Sequence, residues 1–197
     1  MRLIQRISKS TLARPDTLLS LVSILAVIGP IIVVSAGFWD AVSHLQKEPE
    51  FFWSTPHIAV YSGVAISSAA AALGGILLCK KPVSGFLKAG IQLVIVGSII
   101  QVASGFGDSL SHDLFGVDGL VSWSHQPLES GLVLASLGAV FIIKNREHTK
   151  LGFILPFSIT AFLFFTVWLA FNLVLIIGHT IQCIPVYEIF SSGCAIL

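Results

Sequence analysis

Long apolar stretches alternate with short polar intervals along the whole chain. Five stretches reach the roughly 18–25 residues that a helix needs to cross a bilayer; they cover residues 17–39, 56–78, 86–106, 126–143 and 151–178. The pattern predicts an all-α fold, a polytopic transmembrane bundle of five helices. It divides the chain into a polar lead-in, a five-helix domain and a tail, which cover residues 1–16, 17–178 and 179–197.

The composition supports a protein of the lipid bilayer. Hydrophobic residues make up 55% of the chain and charged residues 11%, whereas a soluble domain has about 25% charged residues. Such a chain has too little polar surface to remain in water. Its net charge is only +1, so we expect no nucleic-acid partner.

Lysine and arginine predict the orientation in the cell membrane. Ten of the eleven basic residues fall in or beside the first, third and fifth polar intervals, and only Lys47 falls elsewhere. Basic loops stay in the cytoplasm, so we expect a cytoplasmic N-terminus and an extracytoplasmic C-terminus. Residues 1–16 are basic and polar and do not resemble a signal peptide, which fits a cytoplasmic lead-in.

The chain contains one pattern twice. Residues 29–63 and 97–131 are identical at thirteen of thirty-five positions without a gap, at an offset of 68 residues. Each copy belongs to a two-helix hairpin, about 17–78 and about 86–143, and the fifth helix at about 151–178 has no counterpart. Small residues let membrane helices approach closely, and we expect this of Gly63, Gly74, Gly75, Gly97, Gly131 and Gly138.

Each repeat carries an Asp, a His four residues later and a second His thirteen residues after that. The first trio is Asp40, His44 and His57, and the second is Asp108, His112 and His125. Residues four apart share one face of a helix. Pro56 marks the start of a helix, which places His57 in its first turn. We expect each trio to converge near the outer end of its hairpin.

Two imidazoles and a carboxylate are ligands of transition metals and leave positions open for exchange. Copper, zinc and iron all suit this set. A His or Asp at a helix end can also be an interfacial anchor or a cap, but anchoring requires no fixed spacing, and the repeated interval favours metal binding. Glu129, one turn after His125, replaces Tyr61 of the first repeat. It is a candidate accessory ligand, or alternatively a packing or proton-carrying residue.

The spacing Asp-x3-His followed by His, across two consecutive helices, resembles the copper-site motif in a membrane subunit of the copper membrane monooxygenases, which oxidise methane or ammonia. The segment FWDAVSHLQKEPEFFWSTPHIAVYSG at 38–63 has that layout, and it also resembles uncharacterised membrane proteins with WSPPH-like segments. The resemblance implies that the first trio binds copper, that the second lines a neighbouring site, and that other membrane subunits complete an oxygenase.

Two alternatives remain open from the residues themselves. One is transport or delivery of metal or protons with Glu129 as a relay, although no pair of broken helices is evident. The other is a non-catalytic assembly subunit whose polar residues only hold helices together. Cys79 is expected to be a free thiol, and whether Cys183 and Cys194 form a disulfide in the outer tail is left open.

Overall fold

Five long helices make up most of the computed structural model, which describes residues 15–46, 52–115, 123–146, 149–178, 181–182 and 195–196. The helices are α1 (Pro15–Leu45), α2 (Thr55–Lys80), α3 (Gly85–Phe115), α4 (His125–Lys144) and α5 (Leu155–Ile177). A short 3-10 helix, Lys150–Ile154, leads into α5, and the two-residue strands β1 (Ile181–Gln182) and β2 (Ala195–Ile196) pair antiparallel. The prediction of an all-α, five-helix bundle is confirmed.

Each of the five helices is long and apolar enough to cross a membrane. Helices α1 and α3 have 31 residues each and are therefore about 46 Å long at 1.5 Å per residue, compared with a bilayer core of about 30 Å. They continue past the apolar stretches, to Leu45 and Phe115, because backbone hydrogen bonds extend a helix through polar residues that water solvates at the membrane surface. Asp40 and Asp108 consequently lie on helices.

The helices are arranged as two hairpins and one additional helix. Helix α1 packs along α2 and α3 along α4, the hairpins meet through α2–α3 and α1–α4, and α5 packs against α4 and α1. Consecutive helices run in opposite directions, so α1 and α3 are parallel. The two predicted trios are therefore at the same end of the bundle.

The same glycine contact holds each hairpin together. A Cβ atom added to Gly97 would lie 2.6 Å from the carbonyl oxygen of Gly131, and one added to Gly29 would lie 2.9 Å from that of Gly63. These pairs are equivalent under the offset of 68 residues. The two helix backbones touch in both copies, which is the packing that small residues permit in membranes.

The predicted close approaches are confirmed at five of the six glycines. The exception is Gly75, where an added Cβ would meet only Ile95 Cδ1, at 4.0 Å. Gly29 and Gly90 make close approaches that were not predicted; a Cβ on Gly90 would lie 2.8 Å from the carbonyl oxygen of Gly138. Gly29 could have been found from the repeat, because its equivalent Gly97 was among the predicted residues.

The interior between the hairpins is apolar, and so is much of the outer surface. Buried side chains that fill the interior include Leu18, Val22, Leu77, Ile91, Val94 and Ile142. Helix α5 exposes large apolar side chains along its length, among them Phe157, Leu163, Val167, Phe171 and Val174. Exposed apolar area of this kind costs about 25 cal/mol per Å² in water, so the surface fits a lipid environment.

Candidate metal centre

The first Asp–His pair joins the end of α1 to the start of α2. Pro56 occupies the first turn of α2 as the sequence predicts, although the Ser54 side chain makes no capping hydrogen bond. This start places His57 opposite Asp40, with 3.3 Å between His57 Nε2 and Asp40 Oδ1. The two side chains are 20% and 15% exposed, so the pair is mostly withdrawn from solvent.

The second hairpin reproduces this contact. His125 Nε2 lies 3.3 Å from Asp108 Oδ1, and the side chains are 21% and 20% exposed. Helix α4 begins at His125 itself, without a proline at its start. The common packing of the two helices, rather than the local start signal, therefore sets the position of the pair.

The third member of each predicted trio lies on the same helix as the Asp. His44 follows Asp40 by one turn of α1, and His112 follows Asp108 by one turn of α3, but both side chains lie outside the described part of the structure. Among the side chains that are described, no three His, Cys, Asp or Glu residues come together as a metal-binding group. Convergence of the complete trios stays a prediction.

The separation within each pair suits a metal centre. Two ligand atoms, each about 2.0–2.1 Å from a tetrahedral ion, are about 3.3–3.4 Å apart. The same separation lets a His donate its Nε2–H to the carboxylate and keep Nδ1 as a ligand, an arrangement common behind metal-bound histidines. Carboxylate and imidazole thus fit copper, zinc or iron, and the same contact also links two helices.

An aromatic cluster of Phe52, Trp53 and Tyr61 lies beside the first pair. The Tyr61 ring centroid is 6.1 Å from that of His57 and 5.1 Å from that of Phe52. The Tyr61 hydroxyl donates a hydrogen bond of 3.1 Å to the carbonyl oxygen of Phe52. The first pair therefore has an apolar, aromatic neighbour on the loop side.

A buried acid takes the place of Tyr61 in the second hairpin. Glu129 is 5% exposed, and its Oε1 accepts hydrogen bonds from Trp168 Nε1 at 3.1 Å and Asn172 Nδ2 at 2.5 Å. Both donors belong to α5. Glu129 does not form a three-residue metal group with Asp108 and His125, and its role as an accessory ligand stays a prediction.

Sequence reasoning missed Trp168 and Asn172 as partners of Glu129. Asn172 is a lone amide in an otherwise apolar span, and Trp168 lies one turn before it on the same face. Polar groups inside a membrane usually pair with one another. The combination of a lone amide and a lone acid in two apolar spans was the signal that could have found this contact.

The remaining candidate residues add little to the site. Cys79 is an exposed free thiol, as predicted. Four others lie outside the described residues, namely His148, His179, Cys183 and Cys194. The open question of a disulfide in the tail therefore stays open.

No protein-family model, no curated protein and no solved structure matches this chain. Any function must therefore be inferred from the residues and their geometry. The resemblance to the copper membrane monooxygenases stands as an expectation drawn from the motif alone.

Proposed function

We propose that this multi-pass membrane protein binds a transition metal ion, with copper as the expected metal, in one or both Asp/His/His trios. The observation that carries the proposal is the repeated contact of 3.3 Å between a His Nε2 and an Asp Oδ1. The two repeats differ at most of their thirty-five aligned positions, yet both keep this contact. Helix anchoring alone would not require the same residue types at the same separation.

The protein groups of each site would be one carboxylate and two imidazoles. His44 and His112 supply the third group, one helical turn from Asp40 and Asp108. The orientation predicted from lysine and arginine puts both sites at the extracytoplasmic end of the bundle. Metal would then reach them from outside the cell, and zinc and iron fit the same donor set.

The resemblance to the copper membrane monooxygenases extends the proposal to an oxygenase-like complex. Copper, when bound, supplies the capacity for O2 chemistry. The role of this chain would be to hold and orient the ion, while its apolar helices admit a small uncharged substrate such as methane or ammonia. Other membrane proteins would be its partners in that complex.

Metal content of the full-length protein tests the proposal. Protein purified without chelator is loaded with Cu²⁺ and desalted, and copper per chain is measured by mass spectrometry. The double variant His44→Ala/His112→Ala should lose most of the copper, because each site loses an imidazole while both Asp–His contacts are kept. His148→Ala/His179→Ala is the matched control and should retain it; equal copper in both double variants would contradict metal binding by the trios.

Single variants distinguish metal binding from a purely structural role. His57→Gln and His125→Gln each keep a side chain that can hydrogen-bond the neighbouring Asp, but an amide is a poor ligand for copper. We expect each variant to lose about half of the copper bound by the wild type. An assembly protein without metal would show no copper above background in any of these variants, and circular dichroism confirms that each variant is folded.

A further inference from the structure

A second polar site lies inside the membrane span, between α4 and α5. Glu129 and Asn172 are 5% and 0% exposed, and they are joined by the hydrogen bond from Asn172 Nδ2 to Glu129 Oε1. Trp168 Nε1 donates to the same oxygen. We refer to these three residues as the interhelical site; it contains none of the residues of the two trios.

Two buried oxygens of this site accept no hydrogen bond from the described residues. They are Glu129 Oε2 and Asn172 Oδ1. Buried polar atoms in folded proteins nearly always have a partner, and exceptions point to a bound water or ion. Because the two side chains are bonded to each other, their open oxygens belong to adjacent groups.

The hydrogen bonds favour the charged form of the acid. Two N–H groups donate to Oε1, and donors directed at a carboxylate stabilise its ionised state. A carboxylate within a span also requires a compensating positive charge. His125, one turn earlier on α4, attracts Glu129 electrostatically, but its Nε2 faces Asp108. A small cation would supply the charge and occupy both open oxygens.

We propose that the interhelical site binds one small monovalent cation of the sodium type, with Glu129 Oε2 and Asn172 Oδ1 as its protein ligands. The ligands are oxygens only, which suits hard cations rather than copper, and a single carboxylate balances a single charge. The first hairpin has no such site, because Tyr61 stands at the position equivalent to Glu129. The inference goes beyond the metal proposal and does not depend on it.

The site is close to one end of the bundle. Glu129 is four residues from the start of α4, and Asn172 is five residues from the end of α5. At 1.5 Å per residue both are about 6–8 Å from the helix ends, on the side that carries the Asp–His pairs. A cation therefore has a short path from the aqueous phase.

Equilibrium binding of ²²Na⁺ to the full-length protein in detergent micelles tests the inference. Sodium chloride is titrated against choline chloride at constant ionic strength. We expect one saturable Na⁺ per chain, and in Glu129→Gln an affinity lower by at least about tenfold, because the amide keeps the size and the accepting oxygen but loses the charge. Asp40→Asn, which changes an acid of the first trio, is the matched control and should bind Na⁺ as the wild type does.

The fluorescence of Trp168 gives a second readout in the same full-length protein. Na⁺ should shift the emission of the wild type, and the shift should be absent from Trp168→Phe. Absence of saturable Na⁺ binding by the wild type overturns the inference, as does equal binding by Glu129→Gln. A fluorescence change driven by pH but not by Na⁺ would overturn it too and show that Glu129 carries a proton. Copper loss in His44→Ala/His112→Ala with unchanged Na⁺ binding would show that the two proposals stand separately.

Discussion

The two hairpins share a frame and differ one helical turn inward from the Asp–His pair. At that position the first hairpin has Tyr61, which packs in an aromatic cluster near the loop, and the second has the buried acid Glu129. Helix α5 supplies the donors that Glu129 requires. The comparison teaches that a repeated frame can accommodate a buried carboxyl group where a neighbouring helix provides its hydrogen bonds.

A second position shows the same trend. Val33 of the first hairpin corresponds to Gln101 of the second, and the Gln101 side chain is buried with its Nε2 donating to the carbonyl oxygen of Gly131 at 3.2 Å. This bond spans the glycine contact between α3 and α4. The second hairpin therefore has a more polar interior, although the glycine contacts of the two hairpins are equivalent.

The largest expected effect concerns that shared frame. Gly29→Val and Gly97→Val should each lower the free energy of unfolding by about 3 kcal/mol, because the new side chain meets backbone atoms of the facing helix. At Gly97 the first contacts are 2.6 Å from Gly131 O and from Ala135 N. The measurement is unfolding by a denaturing detergent in mixed micelles, followed by circular dichroism.

The matched control is Gly75→Val, where an added Cβ has only ordinary contact with Ile95. We expect this change to alter the free energy of unfolding by less than about 1 kcal/mol. A loss at Gly97 no larger than that at Gly75 would contradict the close helix contact. Clearly unequal losses at Gly29 and Gly97 would contradict the idea of a common frame.

Much of the fold could be predicted from the sequence, because membrane insertion selects long apolar runs and the repeat specifies which helices pair. Helix ends could not, since hydropathy reports the solvent around side chains and not the continuation of backbone hydrogen bonds. Helices α1 and α3 accordingly extend into polar residues as far as Leu45 and Phe115. Gly75 was a wrong prediction for the related reason that composition does not tell which face of a helix meets a neighbour.

The candidate site was predictable to the extent that the repeat encoded it. The spacing predicted that His57 would meet Asp40 and that His125 would meet Asp108, and both contacts are present. The contacts of Glu129 with α5 were missed, because the fifth helix lies outside the repeat and no spacing relates residue 129 to Trp168 or Asn172. A contact between non-repeated elements depends on the rotation of each helix, which the sequence pattern does not specify.

An intermediate effect is expected from removing one acid of each pair in protein freed of metal. Asp40→Asn and Asp108→Asn should each lower the free energy of unfolding by roughly 1–3 kcal/mol, as for the loss of a charged hydrogen-bond partner. We expect the smaller loss for Asp108→Asn, because Glu129 keeps a negative charge near His125. The same detergent unfolding measurement applies.

Asp16→Asn is the control for this pair of variants. Asp16 is 93% exposed and 3.9 Å from Lys81 Nζ, and a surface ion pair contributes about 0–1 kcal/mol. Its replacement should therefore have little effect. A loss for Asp108→Asn that exceeds the loss for Asp40→Asn would show that Glu129 does not support His125.

The smallest effect is expected from Tyr61→Phe, which tests whether the aromatic side of the comparison matters energetically. The change keeps the ring contacts with His57 and Phe52 and removes one hydrogen bond, from the Tyr61 hydroxyl to the carbonyl oxygen of Phe52. We expect a loss of about 0.5–1 kcal/mol in the free energy of unfolding, with copper content unchanged. A loss of copper in this variant would mean that the Tyr61 hydroxyl takes part in the first site, and the two hairpins would then differ in their metal chemistry as well as in their buried acid.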